Sequence, residues 1–159
     1  ETRLAWDRHM EVNLRAPFLL SQQLARQIPK GKTGNIINII DQRVWNLTSD
    51  FTSYTISKVG LWGVTRILAM AFAPSLRVNA VGPGPTMQSV HQLQSEFEDE
   101  WASLPLQMPV SVDDICKAIR FIIDTPAMTG QMIALDSGQH MGAVPQETKK
   151  RANNDKVEK

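Results

Sequence analysis

With 159 residues, 42% of them hydrophobic, the chain has room for one domain with a real core. A net charge of +1, with both signs interspersed through most of the length, gives no broad field for nucleic acid or an anionic membrane, and a single cysteine excludes an internal disulfide. Apolar runs such as "FLL" and "NIINII" are too short to span a bilayer and "ETRLAWDRHM" has no signal-peptide stretch, so a cytoplasmic protein without membrane or nucleic-acid partners is expected.

The chain opens on Glu1 and is already on a helical pattern by Trp6, which reads as a piece of a larger fold. From Trp6 to Ile28, Met10, Leu14, Phe18, Ser21, Ala25 and Ile28 recur at helical intervals. Pro17 interrupts this helix: it has no N–H, so the carbonyl of Asn13 loses its partner four residues on. "PKGKTG" ends the helix, and "NIINII", residues 35–40, reads as a strand buried on both faces. A polar loop over 41–52 leads into a long helix over 54–72. Gly60 and Gly63 lie inside it, each costing about 1 kcal/mol relative to alanine, which suggests a close approach at both.

"LRVNAV", residues 76–81, is a second strand, broken by "GPGPT". Glu96, Glu98, Asp99 and Glu100 then read as a solvated helix face. Ser111 with Asp114 resembles a capping box. Val112, Ile115, Cys116, Ile119, Ile122 and Ile123 form the stripe of the next helix, with Cys116 expected as buried packing. "GQMIALDSG" supplies a third strand. Residues 143–159 are charged, without apolar period, and read as a disordered tail after a domain over 1–142. His91 and His140 read as surface histidines without metal-like spacing. The alternation is that of a doubly wound α/β fold with a parallel sheet, of which three strands are half. Ligands in such folds bind outside the carboxyl ends of the strands, where Asp41 and the turn from Gly82 to Thr86 should stand.

"YTISK", residues 54–58, holds the only tyrosine of the chain with a lysine four positions on, one helix turn away. Lowering a phenol's pKa by two to three units takes about 3–4 kcal/mol. An ammonium about 5 Å off, at an effective dielectric of about 20, supplies roughly 3 kcal/mol. The expectation is therefore that Lys58 makes Tyr54 a competent proton-transfer group.

Taken together, "MEVNLRAPF", "GNIINIID", "YTISKVGLWGVTRILAMAFAPSLRVNAVGPGPT" and "TGQMIALDSG" resemble the carboxyl-terminal part of the short-chain dehydrogenase/reductase family, from about Trp6 to Gly138. The resemblance implies part of a Rossmann-type domain, whose first strands and Gly-rich phosphate loop are missing here, and an NADP- or NAD-dependent oxidoreductase active only with the missing half. It implies Tyr54 and Lys58 as the Tyr-x-x-x-Lys pair, with Lys58 also on the cofactor ribose. It further implies Asn13 as the helix asparagine whose carbonyl holds a relay water, and Pro83, Gly84 and the backbone of Thr86 beside the nicotinamide. A substrate loop from Met87 to Met108 would present Phe97, Trp101 and Met108, and the full-length form would be a dimer or tetramer.

One position departs from the family pattern. Thirteen residues before the tyrosine the family usually has a serine; here stands Asp41. An ionised aspartate would raise the pKa of Tyr54 and oppose Lys58, whereas a protonated one would donate a proton itself. Ser53 and Ser57 have no comparable claim to the serine's place. Aspartate at this position is similar to the pteridine reductase branch, which implies a pterin or another C=N substrate and slightly favours NADP. A rival expectation is a non-catalytic fragment that keeps only the helix faces used in oligomers or in binding a partner.

Overall fold

The computed structural model describes residues 1–90 and 92–142. His91 and the expected disordered tail lie outside the described residues. Three parallel strands, β1 (Gly34–Ile39), β2 (Leu76–Pro83) and β3 (Met132–Leu135), form one sheet in the order β1-β2-β3. Gly34 pairs with Leu76 and Ile39 with Val81; Ala80 pairs with Met132 and Pro83 with Leu135. All three carboxyl ends therefore point to the same edge.

The amino-terminal helical segment runs as α1 (Arg3–Met10), a π-helical turn (Glu11–Arg15) and α2 (Ala16–Gln27). In the widened turn the N–H of Ala16 bonds Glu11, five residues back, and Pro17 follows directly. The interruption expected from Pro17 is thus a single wide turn, and the helix resumes. Helix α3 (Thr52–Ala71) connects β1 to β2 and lies on one sheet face, where Leu61 packs with Ile40, Ala80 and Met132, and Leu68 and Ala69 pack with Val78. Helix α5 (Val112–Asp124) connects β2 to β3 on the other face through Ala118 and Ile122 against Val81. A short α4 (Gln94–Ala102) precedes it. Helices on both faces of a parallel sheet make this the expected doubly wound α/β arrangement, with β2 at its centre.

Three expectations are corrected. β1 borders the sheet on one side only, so Ile36 and Ile37 are half-buried and Ile39 is 45% exposed; the strand buried on both faces is β2, whose Val78, Asn79, Ala80 and Val81 are fully buried. At Gly60 a side chain would stand 3.0 Å from Leu14, the close approach anticipated, but at Gly63 nothing lies within 4 Å. Cys116 is exposed, because the stripe of α5 turns Ala118 and Ile122 inward and leaves position 116 on the solvent side. The helix start at Ser111 is as expected: its hydroxyl accepts from the N–H of Asp114 at 3.1 Å. Among the described residues no helix is long and apolar enough to cross a membrane.

Candidate active site

Asp41 follows β1, and its carboxylate is divided between two partners. One oxygen accepts the N–H of Arg43 at 2.8 Å and so caps a short 3-10 turn (Gln42–Val44); the other accepts the hydroxyl of Tyr54 at 2.7 Å. The loop-capping role and a direct contact with the phenol are both realised by one side chain. Tyr54 sits in the first turn of α3, and Lys58, one turn on, lies with its ammonium 5.6 Å from the tyrosine ring centre. Lys58 donates to the carbonyl of Ile39 at 3.0 Å, which draws it to the end of β1.

The electrostatics of this trio run opposite to the expectation that Lys58 would prepare the phenol for ionisation. Burial pushes the Tyr54 pKa well above the usual phenol value, and the charge of Asp41 and the hydrogen bond to it push the same way. Lys58 is lowered, chiefly by burial, with Asp41 opposing. Burial and the carboxylate therefore act together against ionisation of the phenol, the opposing charge comes from Arg43, and the hydrogen bond of Lys58 is spent on backbone.

Asn13 stands in the π-helical turn and donates from its side chain to Ser57 at 3.1 Å, while Ser57 donates to the carbonyl of Tyr54 at 2.6 Å. This chain ties the first helical segment to the turn of α3 that carries the tyrosine. Ser53, immediately before Tyr54, shares a 2.6 Å hydrogen bond with Nδ1 of His9, whose ring stands edge-on to Tyr54 at 5.8 Å between centres. The sequence reading passed over both His9 and the uses of these two serines. Helical spacing within one element says nothing about a partner on another.

A cavity of about 260 Å³ opens at the carboxyl edge of the sheet, lined by Asp41, Gln42 and Arg43 after β1, by Pro83, Gly84, Pro85, Thr86 and Met87 after β2, and by Phe97, Glu100 and Gln139. That is where a doubly wound sheet takes its ligands. A side chain at Gly84 would meet the backbone of Asp136 at 2.7 Å, so only glycine lets this turn close against the segment after β3. The hydroxyl of Thr86 donates to the carbonyl of Gly84 at 3.0 Å, so it is engaged within its own turn. Of the three expected loop residues Phe97 lines the cavity. Trp101 and Met108 do not: Met108 lies 49% exposed, its carbonyl taken by Ser137.

Gln42, Arg43, Glu100 and Gln139 were not anticipated in the wall. The acidic face of α4 is exposed as expected, yet Glu100 turns into the cavity. His140 also differs from expectation: it is half-buried and bonds the buried Asp136 at 2.7 Å through both its ring and its N–H. Trp45 stands edge-on to its ring at 5.4 Å. Among the described residues no group of three or more His, Cys, Asp or Glu side chains is placed to hold a metal.

Comparison with known proteins bears on this geometry. A family profile described as Enoyl-(Acyl carrier protein) reductase matches residues 1–140. The chain is similar to the FolM alternative dihydrofolate reductase 1 of Brucella canis, whose crystal structure is complexed with NADP: 43% identity, TM-score 0.88, covering 91% of this chain and 58% of that one. It is 33% identical over 141 residues to Protein FixR of Bradyrhizobium diazoefficiens, covering 86% of this chain and 50% of that protein. It is also 32% identical over 129 residues to the short-chain dehydrogenase/reductase homolog YusR of Bacillus subtilis, covering 79% of this chain and 98% of that protein. The chain thus spans about half the length of FixR and FolM, and nearly all of YusR. The profile match over most of the sequence, the parallel sheet with its carboxyl-edge cavity and these likenesses place the chain in the short-chain dehydrogenase/reductase family of oxidoreductases.

Proposed function

We propose that the chain carries the proton-transfer and substrate side of an NADP- or NAD-dependent reductase acting on a ring C=N bond, as in pterins, with C=O substrates secondary. The observation that carries this reading is the 2.7 Å bond from the Tyr54 hydroxyl to Asp41, with Asp41 itself in the cavity wall. The likeness to a FolM dihydrofolate reductase complexed with NADP supports the same substrate class and slightly favours NADP.

The residues present suit the nicotinamide end of such a cofactor. Pro83, Gly84 and the backbone of Thr86 form one wall of the cavity, and the Lys58 ammonium has three donors, one of which serves Ile39. The bound cofactor would supply the hydride. The chain itself supplies the proton. The Tyr54–Asp41 couple holds one proton in a short hydrogen bond, and a C=N nitrogen entering beside Asp41 accepts a proton as its carbon is reduced. Tyr54, kept protonated at neutral pH by burial and by Asp41, hands its proton to Asp41 as the Asp41 carboxyl delivers one to the nitrogen, and is left as a phenolate with the Lys58 ammonium 5.6 Å from its ring. Lys58 orients β1's end and the cofactor ribose, and Asn13 fixes α3 through Ser57 while its own carbonyl, which Pro17 cannot serve as the i+4 donor, is the place for a relay water. Nothing in residues 1–142 has the pattern of a Gly-rich pyrophosphate loop, so turnover needs a polypeptide that also supplies one.

The test is Tyr54→Phe in such a complete enzyme. Turnover should fall by about 10²–10⁴-fold, the ordinary contribution of a positioned acid, while NADPH affinity stays within a factor of about three, since less than 1 kcal/mol of binding is at stake. Retained turnover would overturn the acid role.

A further inference from the structure

The first turn of α3, which carries Tyr54, begins without the usual support. Its N-cap is Phe51, in the left-handed conformation (φ 56°), and offers no side-chain hydrogen bond. Serine, threonine, asparagine or aspartate would ordinarily hold the free N–H groups of this turn. Here one of them, that of Ser53, is held from the amino-terminal segment, and a side-chain bond holds the same residue. The N–H of Ser53 donates to the carboxylate of Glu1 at 3.3 Å, and the Ser53 hydroxyl, on a residue only 1% exposed, bonds Nδ1 of His9 at 2.6 Å. His9 lies in the last turn of α1, just before the π-helical turn, and its ring meets the Tyr54 ring edge-on at 5.8 Å and 73°.

From this geometry we infer that His9 is a positioning residue for Tyr54: through its bond to Ser53 and its ring edge it fixes the turn that aims the phenol at Asp41. A fully buried hydroxyl bonded at 2.6 Å leaves Ser53 little freedom. The tyrosine next in sequence inherits its placement. One turn further along the same face Asn13, in the π-helical turn, acts through Ser57, so α1 and the π-helical turn grip α3 on successive turns. The contribution to catalysis rests on Tyr54 being the acid, as proposed above; the contribution to its placement does not.

The sole tyrosine of the chain makes the test direct. With tyrosine isotope-labelled at Cζ, one resonance reports the bond between the Tyr54 hydroxyl and Asp41 at neutral pH. In the wild-type chain it should be displaced from that of free tyrosine. His9→Phe keeps the ring but removes Nδ1, and should return the resonance most of the way to the free value; Ser53→Ala should do the same from the other partner. His9→Asn places a polar atom where Nδ1 was and should restore the wild-type position. In a complete enzyme His9→Phe should lower kcat by about tenfold or more, as small misplacements of reacting groups do, with KM nearly unchanged and His9→Asn recovering most of the loss. An unmoved resonance in both His9→Phe and Ser53→Ala, or a resonance left near the free-tyrosine value in His9→Asn, would overturn the inference. The resonance needs no turnover, so an inactive wild-type enzyme would count against the reductase reading alone.

Discussion

Tyr54 and Asp41 share one proton between two oxygens 2.7 Å apart, and burial and charge both favour keeping it on the phenol. Replacing Asp41 with asparagine removes the carboxylate charge but not the shape. The phenol should then ionise closer to its ordinary value of about 10, read from the near-ultraviolet absorbance of this single tyrosine. The same shift makes a stability prediction. A folded-state pKa raised above the unfolded one means the folded chain binds the proton more tightly, so the stabilisation is complete below about pH 10 and is lost as pH climbs through the folded value. Lys58, lowered by burial, works in the opposite sense: its penalty on the protonated form fades as pH rises towards 10.5, below most of the range in which Tyr54 acts. Tyr54→Phe should therefore flatten the alkaline loss of stability, whereas Lys58→Met should steepen it, in urea unfolding followed from pH 8 to 11. At this scale the sequence pointed to residues that the fold brings together, but not to the balance of charge and burial on the phenol. The spacing of Tyr54 and Lys58 was legible, but whether an ammonium or a carboxylate wins depends on where side chains end, and Lys58 ends on the carbonyl of Ile39.

Among the elements, α3 has one tight face and one open one. Gly63→Ala meets nothing within 4 Å and should stabilise the chain by about 0.5–1 kcal/mol through helix propensity. At Gly60 the added methyl would stand 3.0 Å from Leu14, which cancels that gain. Thermal unfolding of the two variants should rank Gly63→Ala above Gly60→Ala. A buried polar pair pins the same helix to the sheet: Asn38 donates to Thr65 at 2.9 Å, and Thr65 is itself held by donating to the carbonyl of Leu61 in its own helix at 2.8 Å. Thr65→Val leaves the Asn38 amide unpaired in the core, at a cost of about 1–3 kcal/mol. The order and type of the strands and long helices were readable because apolar periodicity and turn residues are local properties. The burial of β1 was not, since it depends on what pairs with its outer edge. The exposure of Cys116 was missed because the apolar stripe was drawn too wide for a helix that turns only part of its circumference inward.

As a whole, the molecule brings the ends of three parallel strands to one edge, where a polar cavity joins Asp41 to the turn at Pro83 and Gly84. The placement of that cavity followed from topology alone, whereas its lining by Arg43, Glu100 and Gln139 depends on how the 3-10 turns and α4 dock at this edge, which no periodicity encodes. Without a Gly-rich turn to receive the pyrophosphate in residues 1–142, the 159-residue chain by itself should show no saturable micromolar binding when NADPH is titrated by fluorescence. In the proposed reductase Asp41 is the group that selects C=N chemistry. Its most direct test compares wild type and Asp41→Ser, in a polypeptide that includes a pyrophosphate-binding half, by NADPH consumption with a dihydropterin and with a simple ketone. The wild type should prefer the dihydropterin and Asp41→Ser should shift the ratio of kcat/KM toward the ketone by about tenfold or more, roughly 1.4 kcal/mol of differential transition-state stabilisation. An unchanged preference in Asp41→Ser would contradict it.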